Sequence, residues 1–261
     1  MKYTVLTLFP EICDAYCSSS IMAKAVSRGI VEYKAINIRD FAVDKHRSCD
    51  DAPYGGGPGM LMLAEPLGRA LEAVAGVPNS QRVIYLSPSG KPFNQELARE
   101  LAREQELILI CGRYEGIDQR IIDMYVDDEI SVGDYVLSSG EVAALALIDA
   151  TYRLVEQVIT KASLEEESFD GLLLEYPQYT RPEIYATLKV PEILLSGHHE
   201  NIRRWRLEKR VKKTLALRPD LIELGENRGL FDDETLKIIE EKRLTGARYC
   251  RTDKQSDADE E

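Results

Sequence analysis

Five short runs rich in apolar and β-branched residues recur along the first half of the chain: Tyr3–Phe9, Glu32–Ile38, Arg82–Leu86, Leu107–Cys111 and Asp128–Ser131. Each ends in a loop of Gly, Pro or Ser and reads as a strand. Leu67–Val74 and Gln95–Arg103 lie between them with apolar residues at helical spacing, the second with a charged outer face. Strands alternating with helices predict an α/β domain with a mainly parallel sheet. Val142–Val155 is predicted to be a core helix, with Val142, Leu145, Leu147, Ile148 and Leu154 on a broad apolar face.

The pattern changes after Thr160. Residues 161–175 begin polar, acidic and aperiodic, and are expected to form a mobile linker. Residues 176–250 are mostly helical in pattern, with Glu200–Leu217, Leu221–Leu224 and Glu234–Leu244 as the candidate helices, so residues 1–160 and 176–250 are expected as separate domains. Residues 251–261 are expected as a solvated acidic tail.

Charge narrows the function. Lys and Arg total 33 against 45 Asp and Glu, a net charge of −12, so bulk charge cannot coat a nucleic acid. Any such contact needs a local basic patch, and Arg203–Lys213 supplies one beside Trp205, the sole tryptophan. Arg203, Arg206 and Lys209 are its candidate phosphate contacts, and Trp205 is expected to be a packing anchor. The longest apolar run, Val142–Ile148, is far below the roughly 20 residues of a membrane-spanning helix. Five scattered cysteines without a C-x-x-C pair suggest neither a zinc cage nor a disulfide framework, and a reducing cytoplasm is the simplest compartment.

Several catalytic motifs are missing. Gly55–Met60 fails the dinucleotide fingerprint, Gly90-Lys91 is followed by Pro92 rather than Ser or Thr, and no G-x-S-x-G or H-E-x-x-H occurs. Instead, three strands lead into loops with distinctive residues: Tyr85–Gly90, Gly112–Asp118 and Ser131–Glu141. Loops leaving the carboxyl ends of neighbouring parallel strands converge on one crevice. Their glycines permit tight turns, and their backbone groups are free to read a heterocycle edge such as adenine. A fourth loop, Asp44–Met60, combines Lys45, His46, Arg47 and three Asp with four glycines, as expected of a loop that closes over a polar ligand.

Pro53–Met60, Tyr85–Pro88, Cys111–Asp118 and Ser131–Leu137 resemble the bacterial tRNA (guanine-N1)-methyltransferases, of the trefoil-knot (SPOUT) class. Tyr176–Pro182 and Leu195–Arg206 agree, and the likeness is nearly collinear from Tyr3 to about Leu224. The resemblance implies a knotted, mainly parallel sheet flanked by helices, with a small α-helical C-terminal domain that grips tRNA. It also implies a homodimer with composite active sites, S-adenosylmethionine as methyl donor, and methylation of N1 of guanine 37. Donor-binding residues carried over from the family are Tyr85, Leu86, Ser87, Pro88, Gly112, Tyr114, Glu115, Gly116, Ile130, Gly133, Tyr135, Leu137 and Gly140. Gly57 and Gly59 match family glycines near the donor's methionine end. Arg153 matches the family's charge-stabilising Arg, and Glu167 falls where the family has its Asp general base, with Asp170 as the rival carboxylate. Mg2+ is implied too, with loop acids such as Glu115 as candidate contacts, although the chain shows no metal-ligating spacing.

Three positions depart from the family pattern. Glu167 adds a methylene to the base. Ser139 stands where Gly is usual and would be strained at a positive φ, and Ala143 replaces the usual Pro. Two other readings fit these residues: a knotted methyltransferase acting on another RNA site, and a catalytically weakened RNA-binding homologue.

Overall fold

The computed structural model describes residues 1–74, 81–160 and 167–245. The acidic tail and residues 161–166 of the expected linker lie outside that range. The chain divides into two compact units, Met1–Thr160 and Lys161–Glu261.

The first unit is built on β1 (Lys2–Thr7), β2 (Glu32–Asn37), β5 (Gln81–Pro92), β6 (Glu106–Cys111) and β7 (Asp128–Ser131). They form one five-stranded sheet in the order β2-β1-β6-β5-β7, and every pairing is parallel. β3 (Asp50–Asp51) and β4 (Leu61–Met62) form a small separate ribbon. Period-two alternation splits the core between the two faces of the sheet. Tyr3, Val5, Leu107 and Leu109 pack on one face with Cys13, Leu147 and Ile148. Leu6, Ile108 and Ile110 pack on the other with Leu67, Leu71 and Ile121. Central β6 is buried along its whole length, as a parallel strand covered on both sides must be.

α1 (Pro10–Cys17), α2 (Ser20–Ser27), α4 (Gln95–Leu101) and α6 (Gly140–Tyr152) supply the first layer of helices, and α3 (Ala64–Val74) and α5 (Gln119–Tyr125) the second. The sequence pattern reveals α3, α4 and α6 but not α1. There Pro10 and Glu11 read as the end of a strand, whereas Pro10 occupies the first turn of a helix, where its missing N–H costs nothing. Cys13 and Cys17, one turn apart, are the buried residues of that helix.

The predicted loop after Leu86 is corrected by the structure. β5 does not end there; it bulges at Ser87–Gly90 and resumes, so both Leu86 and Lys91 pair with Ile130 of β7. A Cβ on Gly90 would lie 2.4 Å from the Ile130 amide nitrogen, so only glycine lets the bulge close against β7.

The chain then leaves β7 at the sheet edge, and residues 132–139 carry it back to the end of β6. The Gly140 amide donates to the Gly112 carbonyl at 2.9 Å. A Cβ on Gly140 would meet the Gly112 nitrogen at 2.7 Å and the Cys111 Cα at 2.8 Å. α6 starts at this contact and buries Ala144, Leu147 and Ile148 against the sheet.

The second unit contains β8 (Ile184–Tyr185), β9 (Leu188–Lys189), α7 (Glu192–Leu195), α8 (His199–Leu217), α9 (Pro219–Asn227) and α10 (Asp233–Leu244). Leu173, Val211, Ile222, Ile238 and Ile239 form its core. The helical character of this unit agrees with the sequence pattern; the short β8–β9 ribbon does not show in it.

Because the clash at position 140 is with backbone, no rotamer change relieves it. Gly140→Ala is expected to lower unfolding free energy by about 1–3 kcal/mol, as a shift in urea midpoint at unchanged m.

Candidate active site

The carboxyl ends of β5, β6 and β7 surround one cleft of about 580 Å³. The β5 bulge contributes Tyr85–Ser89, the loop after β6 Gly112–Ile117, and the segment between β7 and α6 Val132–Gly140. All the residues expected to bind donor lie in this lining, from Tyr85, Leu86, Ser87 and Pro88 through Gly112, Tyr114, Glu115 and Gly116 to Ile130, Gly133, Tyr135, Leu137 and Gly140. The volume falls in the range of small-molecule sites, about 300–1,000 Å³.

Tyr114 and Tyr135 are exposed. Tyr114 takes a left-handed φ of +59°, uncommon for a bulky residue, and its hydroxyl donates to Asp50 Oδ1 at 3.1 Å. Two backbone bonds reinforce this link, Glu115 N–H to the Met60 carbonyl at 3.0 Å and Met62 N–H to the Gly116 carbonyl at 2.9 Å. The charged, glycine-rich 44–60 loop is thereby tied to the cleft. Ser139 sits at φ −166°, extended backbone that any residue adopts, so its departure from the family pattern brings no strain. Ala143 lines the cleft from the first turns of α6.

Among the described residues no cysteine lines the cleft; the nearest along the chain, Cys111, is buried in β6. Contact with Cys13, then burial, pushes the Cys111 thiol well above its usual range, so it stays protonated. Burial, followed by the Glu129 charge, raises the Tyr85 phenol in the same way. The lining, with the backbone of the β5 bulge and of the two loops facing the cleft, suits binding and alignment of a ligand.

A polar cluster beside the cleft escapes motif reading. Glu141 is fully buried in the first turn of α6. Its Oε1 accepts from Thr7 Oγ1 at 2.6 Å, and Arg113 Nη2 lies 3.6 Å from its Oε2. Thr7 Oγ1 also accepts from the Phe9 amide, and the Arg113 guanidinium stacks on the Phe9 ring at 4.2 Å. The cluster joins the end of β1, the loop after β6 and the start of α6. Arg113 and Glu141 both sit within the motifs, but only the fold brings them together.

The remaining candidates are carried by other elements. Arg153 caps the far end of α6, 13 helical residues from Gly140, or about 20 Å at 1.5 Å per residue. Glu167 and Asp170 belong to the second unit, where the Asp170 amide donates to the Glu167 carbonyl at 3.0 Å. On α8, Arg203 is bound to Glu200 at 2.8 Å and Glu234 at 2.9 Å, which compete with any phosphate. Arg206 stacks on Tyr176 and Lys209 on Trp205, and Trp205 itself is half-buried rather than part of the unit's apolar core. Among the described residues no group of three or more His, Cys, Asp or Glu side chains is placed to hold a metal.

A parallel α/β sheet with its cleft at the carboxyl strand ends, walled by an extra backbone passage, defines a small-molecule-binding α/β domain joined to a helical unit. The sequence model described as tRNA (Guanine-1)-methyltransferase TrmD matches residues 1–224, and the chain belongs to that family, whose fold is the knotted α/β fold. The chain is 64% identical over 241 residues to the tRNA (guanine-N(1)-)-methyltransferase of Treponema denticola, covering 92% of this chain and 98% of that protein. The proteins of the same name from Treponema pallidum and Borreliella burgdorferi are 58% identical over 241 residues and 57% over 223, covering 92% and 85% of this chain and 96% and 92% of their own lengths.

Removing the Glu141 carboxylate strands the Arg113 charge. Glu141→Ala is expected to cost about 2–3 kcal/mol in urea unfolding, below the roughly 3–5 kcal/mol of a fully buried pair because Arg113 keeps some water contact.

Proposed function

We propose that the protein transfers a methyl group from S-adenosylmethionine to N1 of guanine 37 of tRNA, in the cytoplasm. The observation that carries this reading is the convergence of the β5 bulge and the two loops on one cleft in a member of this family. Bound there, the sulfonium donor supplies an already activated methyl group. The β5 bulge and the Gly112–Gly116 and Val132–Gly140 backbones hold and align it.

Guanine N1 carries a proton at neutral pH and is a poor nucleophile. Glu167 accepts that proton as the N1–methyl bond forms and the sulfur–methyl bond breaks, leaving a neutral thioether. Arg153 stabilises negative charge growing on guanine O6. The distance of Arg153 from its own cleft end of α6 supports a homodimer in which it serves the partner's cleft. Exposed Val142 on α6, with Ile12 and Tyr16 on α1, supplies apolar surface for a second copy to cover. Arg206 and Lys209 bind tRNA phosphates, and Arg203 contributes less because two carboxylates already neutralise it. No described helix is long and apolar enough to cross a membrane.

Methylation of tRNA is expected to fall about 10²–10⁴-fold in Glu167→Gln and to persist in Asp170→Asn, the loss being typical of a missing general base. Loss in Asp170→Asn alone reassigns the base, and equal methylation of tRNA with guanine 37 replaced refutes the target. In salt titrations of tRNA binding, Arg206→Glu and Lys209→Glu are expected to weaken affinity more than Arg203→Glu, with donor binding unchanged by calorimetry.

A further inference from the structure

Arg210 sits in the most basic stretch of the chain, yet it is only 9% exposed. Its Nη2 donates to the Asp170 carbonyl at 2.8 Å and its Nε to the Leu174 carbonyl at 3.4 Å. The next turn of α8 acts on the same segment. Lys213 Nζ donates to the Glu175 carbonyl at 2.9 Å, and the Leu174 amide donates to Thr214 Oγ1 at 2.9 Å. Leu173 inserts into the helical core beside Val211 and Ile222.

The segment held in this way is a compact turn. The Phe169 amide donates to the Leu173 carbonyl at 2.8 Å, and the Glu175 amide donates to Ser168 Oγ at 3.1 Å. Phe169 and Leu172 take left-handed φ values of +72° and +60°, which bulky side chains adopt only where surrounding contacts hold them. Glu167 and Asp170 both lie on this turn. A guanidinium that bridges two carbonyls of the turn fixes the backbone from which its carboxylates project.

We infer that Arg210 is a positioning residue for methyl transfer: it holds the carboxylate-bearing turn on α8 and does not bind tRNA phosphate. The inference rests on the proposed function, and it explains why a basic residue of the patch is buried. A small displacement of a catalytic group, on the order of 1 Å, can cost about a hundredfold in rate, whereas removing a phosphate contact weakens binding and flattens its salt dependence.

The test uses the full chain with S-adenosylmethionine at saturation and an unmodified tRNA transcript carrying guanine 37. Single-turnover methylation is followed across pH, alongside tRNA affinity across salt and thermal melting. Arg210→Gln is expected to lower the methylation rate about tenfold or more, with tRNA affinity, its salt slope and the pH midpoint unchanged. Arg210→Lys, which keeps one donor, is expected to recover part of the rate. Thr214→Val, at a fully buried position that cannot reach a phosphate, is expected to lower the rate in the same direction. A salt slope reduced by about one in Arg210→Gln, with the rate at saturating tRNA unchanged, overturns the inference in favour of a phosphate contact. Should Arg210→Gln unfold, Arg210→Lys and Thr214→Val decide, and wild-type rates in both overturn it. A wild-type protein that leaves guanine 37 unmethylated refutes the proposed function itself; an active wild type with unaffected variants refutes only the role of Arg210.

Discussion

The passage of the chain at Gly140 across the end of β6 is the constraint on which the cleft depends. The backbone approaches Cys111 and Gly112 so closely that a single methyl group has no room, and the Gly140 amide is satisfied by the Gly112 carbonyl. That contact fixes where α6 begins. It also places Glu141 beneath the loop after β6, where Thr7 and Arg113 reach it. One close approach thus fixes the third wall of the cleft, the start of a core helix and a buried charge cluster together. Interiors packed this tightly do not deform gradually, so the three features hold or fail as a group.

The second unit shows that a run of positive charge is not one surface. Seven of the eleven residues from Arg203 to Lys213 are basic, but they serve different ends. Arg203 is paired with two carboxylates, Arg210 and Lys213 hold backbone carbonyls, and Arg206 and Lys209 stack on aromatic rings. In a chain of net charge −12, the share of that run left facing a polyanion is smaller than its composition suggests. Arg210 and Lys213 hold the 167–175 turn, so the helix proposed to meet RNA is also the one that carries the proposed base.

Much of this molecule was legible in its residues. The five strands follow from apolar runs that end in turn residues. α3, α4 and α6 follow from helical periodicity, and convergence of the segments Tyr85–Gly90, Gly112–Asp118 and Ser131–Glu141 on one crevice follows from the parallel alignment of their strands. α1 was not legible, because Pro10 is equally at home after a strand and in the first turn of a helix. The continuation of β5 through Ser87–Gly90 was hidden as well. A bulge and a loop use the same Gly, Pro and Ser, and only pairing with β7 separates them.

The order of apolar and polar residues by itself determined the α/β class, the helical second unit and the loops that wall the cleft, since each rests on local periodicity or local turn chemistry. Tertiary structure alone decided the sheet order, the return of the chain to Gly112, the Thr7–Arg113–Glu141 cluster, and which basic residues of α8 face inward. Those features join residues as far apart as Thr7 and Glu141, 134 positions along the chain. No local pattern encodes such contacts; they arise only when the packed sheet brings distant backbone within hydrogen-bonding reach.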